Sequence, residues 1–183
     1  MARRLGVVSR RLIAALVVAA VAVVAVYWFV VRTGKADPDV QVPRLAASIG
    51  EGDEAVGIAG NGAAVRWLPL PEDPPLPRLP LDEVPKGGRL EGTALEQVRI
   101  LAAVPDELRP FVARSYFGES GVDVELTTGI ELRFGDSSQA RRKWNAAAAI
   151  LADPSVTALD YVNVIAPSRP TYYGSGHELP PPP

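Results

Sequence analysis

Residues 124–144, VELTTGIELRFGDSSQARRKW, hold two strand-like runs, a Thr-Thr-Gly turn between them and the start of a helix. Where the turn falls decides how the stretch folds. A two-residue turn at Thr128-Gly129 places Glu125 opposite Leu132 and buries a charge. A three-residue turn, Thr127 to Gly129 with Gly129 left-handed, instead pairs Leu126 with Ile130, Val124 with Leu132 and Val122 with Phe134. One face is then wholly apolar, and Asp123, Glu125, Glu131 and Arg133 share the solvent face, with Asp123 across from Arg133. Gly135 ends the second strand. Asp136, with Gln139 three residues on, or Ser137 or Ser138, is placed to cap the next helix. Trp144, Ala147, Ala148 and Leu151 form the buried stripe of that helix, and Asp153-Pro154 closes it.

Upstream, Thr93-Ala-Leu-Glu96 has the form of a capping box, and Leu95, Val98, Leu101 and Val104 follow at helical spacing until Pro105. Before it, residues 68–88 are too rich in proline for a helix or a central strand. PPLPR within them has the composition of a ligand for an aromatic-lined groove; the plainer reading is an extended connection across the surface. EAVGIAGNGAAVRW contains Asn61-Gly62, a strong hairpin signal. A two-residue loop there pairs Ile58 with Val65 and Val56 with Trp67. Downstream, ALDYVNVI reads as a last strand with Val162 and Val164 on one face, followed by a tail whose prolines favour an extended, unpacked end.

The chain has 183 residues, with Lys+Arg 19, Asp+Glu 21, 18 prolines, one histidine and no cysteine. Disulfides, thiolate chemistry and cysteine metal sites are therefore excluded. Residues 12–31, LIAALVVAAVAVVAVYWFVV, contain no charge and match the roughly 30 Å core of a bilayer at about 1.5 Å per residue. Arg3, Arg4, Arg10 and Arg11 precede them, which orients the N-terminus to the cytoplasm and the remainder outside. That remainder carries all the acids and is a poor surface for nucleic acid.

Few residues invite catalysis. His177 is the single histidine and reads as a solvated tail residue with no base or nucleophile beside it. Glu125 and Glu131 are predicted neighbours, the pairing a glycosidase uses, yet they lie on the open face of a hairpin. No carboxylate cluster has calcium-loop spacing, and no Gly-rich phosphate loop follows a strand. No catalytic residue, metal ligand, cofactor or small-molecule substrate is expected.

The order of parts resembles the FtsQ/DivIB family of bacterial cell-division proteins: a basic tail, one span, then hairpin, extended segment, helix, hairpin, helix and last strand. The residues that carry the likeness are GIELRFG (129–135), Lys143-Trp144 on the helix, and DYVNVIAP (160–167). The likeness covers the family's C-terminal β-domain over about residues 53–173, without room for the POTRA domain that family members place before it. Asn163 stands where the family usually has Asp. The resemblance implies an α+β fold: a single N-terminal transmembrane helix followed by one small extracytoplasmic β-sheet domain with two helices. Its parts are a basic cytoplasmic tail (1–11), the span (12–31), a linker (32–52), the β-domain (53–173) and a flexible Pro-rich tail (174–183). It further implies a non-enzymatic scaffold at the division septum, in the bacterial cytoplasmic membrane, that binds partners of the FtsB/FtsL type. Strand addition at the last strand would involve Tyr161, Val162, Asn163, Val164 and Ile165, with Tyr172 and Tyr173 beyond. The alternative is a single-pass sensor ectodomain with a pocket for a small ligand or peptide.

Overall fold

A computed structural model of the chain describes residues 43–181. Their strands are β1 (Leu45–Ile49), β2 (Val56–Ala59), β3 (Ala64–Val65), β4 (Val112–Gly118), β5 (Gly121–Leu126), β6 (Glu131–Gly135), β7 (Ala158–Asn163) and β8 (Thr171–Glu178). The helices are α1 (Gly92–Ala102) and α2 (Ala140–Leu151). Three strands form a sheet in the order β1-β2-β3, and five form a second in the order β4-β5-β6-β7-β8. The expected fold class is thereby corrected. The described residues are mostly β, in two sheets rather than one small one. Neither of their helices is long and apolar enough to cross a membrane. The expected span at 12–31, the basic tail at 1–11, most of the linker, and Pro182 and Pro183 lie outside the described residues.

The 124–144 stretch folds around the three-residue turn. Gly129 has φ +93°, and Leu126 N–H donates to Ile130 O at 2.9 Å. Val124 faces Leu132 and Asp123 faces Arg133 as the apolar pattern requires. Val122 differs: a bulge beside Asp123 sets it opposite Gly135 rather than Phe134.

The first hairpin turns through one residue more than Asn61-Gly62 predicts. Ala59 N–H donates to Ala63 O at 2.9 Å around Gly60-Asn61-Gly62, and Gly62 rather than Asn61 takes positive φ. Ile58 consequently faces Ala64, and Gly57 faces Val65. A one-residue slip exchanges the two faces of a strand, so Val65 leaves the side of Ile58 and joins a small cluster with Leu45 and Ala59; Trp67 lies beyond β3 and is 65% exposed. The linker assigned to 32–52 also contains β1, all five of whose residues are buried. A strand covered on both faces shows no alternation to read.

The proline-rich segment does more than cross the surface. Leu79 N–H donates to Ser48 O at 3.0 Å, and Ser48 N–H donates to Pro77 O at 2.9 Å. On its other side, Arg78 N–H donates to Ala113 O at 3.2 Å and accepts Ser115 N–H at 3.1 Å through its carbonyl. Pro77–Leu79 thus joins β1 of one sheet to β4 of the other. Pro77 and Pro80 lack the N–H groups that would lengthen the pairing, so the join stops at three residues.

Both helices pack on the sheet face that carries Val124, Leu132 and Val162; α1 contacts β1, β2, β4 and β5, and α2 contacts β6 and β7. Trp144 stacks obliquely on Phe134, with ring centres 4.8 Å apart, and its indole N–H donates to Ile100 O at 2.8 Å. Burying side chains of this size contributes about 1.5–3 kcal/mol each. Neither expected helix cap forms. The Glu96 carboxylate leaves its own helix start to accept Ser137 N–H at 2.8 Å, and the Ser137 side chain first, then this N–H, hold its pKa below the usual range. At α2, Gln139 is the N-cap with φ +54°, and Asp136 instead accepts Ser138 N–H and the Lys143 ammonium. Lys143, only 2% exposed, also donates to Phe134 O and Asp136 O, so its three N–H donors are all used.

Candidate functional site

ALDYVNVI is not the last strand. β7 lies between β6, to which it runs parallel, and β8, to which it runs antiparallel. The edge expected at Tyr161–Ile165 is therefore covered, and the boundary between β-domain and tail at 173/174 falls inside β8. The Gly-rich sequence TYYGSGHE hid this strand. Between Leu159 and Tyr161, which face His177 and Tyr173, β7 has one residue and β8 has three. Gly174, Ser175 and Gly176 bulge around Asp160, whose carboxylate accepts Gly176 N–H at 2.9 Å. A Cβ on Gly174 or Gly176 would overlap that carboxylate, and Gly174 takes φ +99°. Glycine here is a requirement of the docking, not a mark of disorder.

His177 also belongs to β8, opposite Leu159, and its ring lies where a side chain on Gly129 would stand. It is exposed, as predicted, but a strand rather than a tail holds it. The tail beyond it is not unpacked either: Leu179 joins the core margin and lines, with Pro180, Pro181, Leu108, Phe111 and Leu151, an apolar cavity of about 840 Å³.

Among the described residues, β8 ends the five-stranded sheet, with no strand on its outer side. Tyr172 and Tyr173 occupy its regular first half, 52% and 67% exposed. They face Val162 and Tyr161 respectively, so they project to opposite faces of the edge. Ile165, 40% exposed, follows β7 at the same end. Of the expected contact residues, Tyr172, Tyr173 and Ile165 are available; Val162 and Val164 are fully buried, and Tyr161 and Asn163 are half-buried.

The face opposite the helices carries a chain of polar and aromatic contacts that ends at this edge. Arg114 on β4 donates from Nε and Nη2 to Glu125 at 2.9 and 2.6 Å. Tyr116 O–H and Arg133 Nε both donate to Glu131. The Arg133 guanidinium lies 3.8 Å over the Tyr161 ring, and Tyr161 lies 5.9 Å from Tyr173. The two glutamates are paired across β5 and β6, yet both are engaged by these donors rather than poised as acid and base. Burial raises Glu131, but its bonds from Tyr116 and Arg133 outweigh it and hold the carboxyl below its usual range. Burial, then the bond to Glu131, pushes the Tyr116 hydroxyl up.

Asp123 departs from the expected solvent face. It is 5% exposed, and one carboxylate oxygen is buried without a hydrogen-bond partner. The bulge draws it against Gly118, where its other oxygen takes the space of a side chain. Burial first, and then the Glu131 charge, raise it to about 6, against the pull of Arg133. No metal-binding group of three or more such side chains occurs among the described residues.

In comparisons with known proteins, no family model and no curated protein matches this chain. The likeness to FtsQ/DivIB rests on the motifs quoted above.

Proposed function

We propose that this chain is a non-enzymatic scaffold of the bacterial division septum, anchored in the cytoplasmic membrane, that captures single-pass partners of the FtsB/FtsL type through the β8 edge. The observation that carries the reading is the pair Tyr172 and Tyr173 on β8, whose outer side no strand covers among the described residues. Tyrosines supply large contact area at low conformational cost and recur among the residues that dominate binding energy. The regular half of β8 offers outward backbone groups to a partner strand, while the Gly174–Gly176 bulge limits how far such pairing extends. Location and orientation rest on residues 1–31 of the sequence, and the septal assignment on the family likeness.

The test joins localisation to capture. A fluorescent fusion of the full chain should gather at the septum and co-purify with FtsB- and FtsL-type proteins. Tyr172→Ser with Tyr173→Ser should keep the fold and lose the co-purification; Glu125→Gln with Glu131→Gln should keep both. An even distribution around the envelope would sink the septal assignment. Undiminished capture by the double serine variant would sink the edge. The alternative, a sensor ectodomain, draws on the apolar cavity beside Leu179 and predicts a small-ligand response that survives both tyrosine substitutions.

A further inference from the structure

Arg109 presents a problem that the β8 edge does not explain. Its side chain is 15% exposed, and Nε and Nη2 are buried without a hydrogen-bond partner. Nη1 makes only a long contact with Leu45 O at 3.4 Å. The neighbouring carboxylate, Asp106, stands 3.7 Å from Nε and is engaged by Arg44. Buried cations are ordinarily paired, because leaving water without a partner is costly. Burial, and then the charge of Arg44, lower the pKa of Arg109 accordingly.

Arg109 and Arg44 both line a cavity of about 520 Å³ whose other walls include Leu45, Leu68, Leu70, Leu76 and prolines of the 69–75 segment. These leucines back onto a small cluster formed with Ala59 and Val65, separate from the main core. The cavity shares no residue with β8. Nε–H and Nη2–H lie along one edge of the planar guanidinium, spaced to meet the two oxygens of a carboxylate or phosphate. The same edge of Arg114 holds one oxygen of Glu125 within this protein. Arg44 and Asp106, 61% and 73% exposed, form a surface pair at this site. Pairs of that kind are weak and easily displaced.

We infer that this cavity binds the free terminal carboxylate of an apolar peptide segment, held bidentately on the Nε–Nη2 edge of Arg109. A terminal carboxylate stands one α-carbon from its own side chain. An apolar last residue therefore places the anion on the arginine and its side chain against the leucines and prolines together. Acidic side chains separate those two features, and inorganic anions lack the second.

The test uses the full chain in detergent micelles and three probes at pH 7: N-acetyl-leucine, N-acetyl-leucinamide and acetate. Calorimetry should show N-acetyl-leucine binding about 10-fold or more tightly than the amide, as expected for charge-assisted hydrogen bonds, and more tightly than acetate. Arg109→Met retains the stem and removes the cation whose Nε and Nη2 lack hydrogen-bond partners. It should abolish the preference for acid over amide and raise Tm. Equal affinity for acid and amide overturns the inference, as does acetate binding as well as N-acetyl-leucine, or no binding by any probe at millimolar concentration. A preference for the acid that persists in Arg109→Met overturns it as well. If Arg109→Met does not fold, the three-probe comparison on the unaltered chain decides alone.

Discussion

Gly174→Ala should release β8 from β7 and leave the rest of the domain standing. Gly174 has φ +99°, and an L side chain at positive φ costs about 1–2 kcal/mol. The new methyl also overlaps the Asp160 carboxylate, so Asp160 must give up its bond from Gly176 N–H. A hydrogen bond to a charged group contributes about 1.5–3 kcal/mol. Together the change costs about 2.5–5 kcal/mol. β8 has little to set against it: seven of its eight residues are exposed, and β7 is its only strand neighbour among the described residues. Edge elements with so little buried area open at the low end of the local stability range. Backbone hydrogen exchange reads this directly. The Gly176 amide and the β7 amides facing β8 should lose protection, while amides of α1 and α2 keep theirs. Adding Asp160→Gly to Gly174→Ala should recover part of the loss, because every Asp160 side-chain atom that the new methyl overlaps is then gone. Unchanged protection at Gly176 would refute the claim that glycine is required there, and a uniform loss across the domain would refute the claim that β8 opens alone.

Two further outcomes follow from buried charges. Lys143→Met should lower stability by about 2–4 kcal/mol in urea unfolding, since the apolar stem survives while Phe134 O and Asp136 O lose their donor; a variant as stable as the parent would show that desolvating the ammonium cancels its bonds. For Asp123, the folded pKa of about 6 lies above the ordinary value near 4, so its contribution is complete below about pH 4 and is lost as pH rises through 6. Asp123→Asn should flatten that part of the stability profile and be the more stable chain at pH 7; a profile identical to the parent's would assign the pH dependence elsewhere.

The part of the fold legible in the sequence is the part with one face in water. β5 and β6 alternate, so Val124 opposite Leu132 and the turn at Gly129 could be read directly. β1 could not, because LAASI is covered on both faces and alternates with nothing. The capping pattern around Glu96 was misleading for a different reason: the carboxylate binds Ser137, forty-one positions away, and local rules do not see that partner. The candidate site suffered most. Tyr172 and Tyr173 were visible as aromatics just beyond the strand expected to be last, but the strand bearing them contains two glycines whose purpose is set by Asp160 across the ladder. Arg109 carried no local signal. Its unpaired edge arises only when residues 44–45 and 68–76 close around it.

The join at Pro77–Leu79 gives this domain a seam. Four backbone hydrogen bonds through three residues link β1 to β4, where an ordinary strand would contribute a full ladder. Tension that separates β1 from β4 would load those bonds in a small group and part them almost together, as a zip tab yields where a sewn hem would hold. On one side of such a break stand the three short strands; on the other stands the hairpin sheet with β7 and β8. Yet the two halves would not fall apart there, because α1 packs on β1 and β2 as well as on β4 and β5, and one core spans both sheets: the seam is a place where the domain can gape while its helix still hinges the halves together.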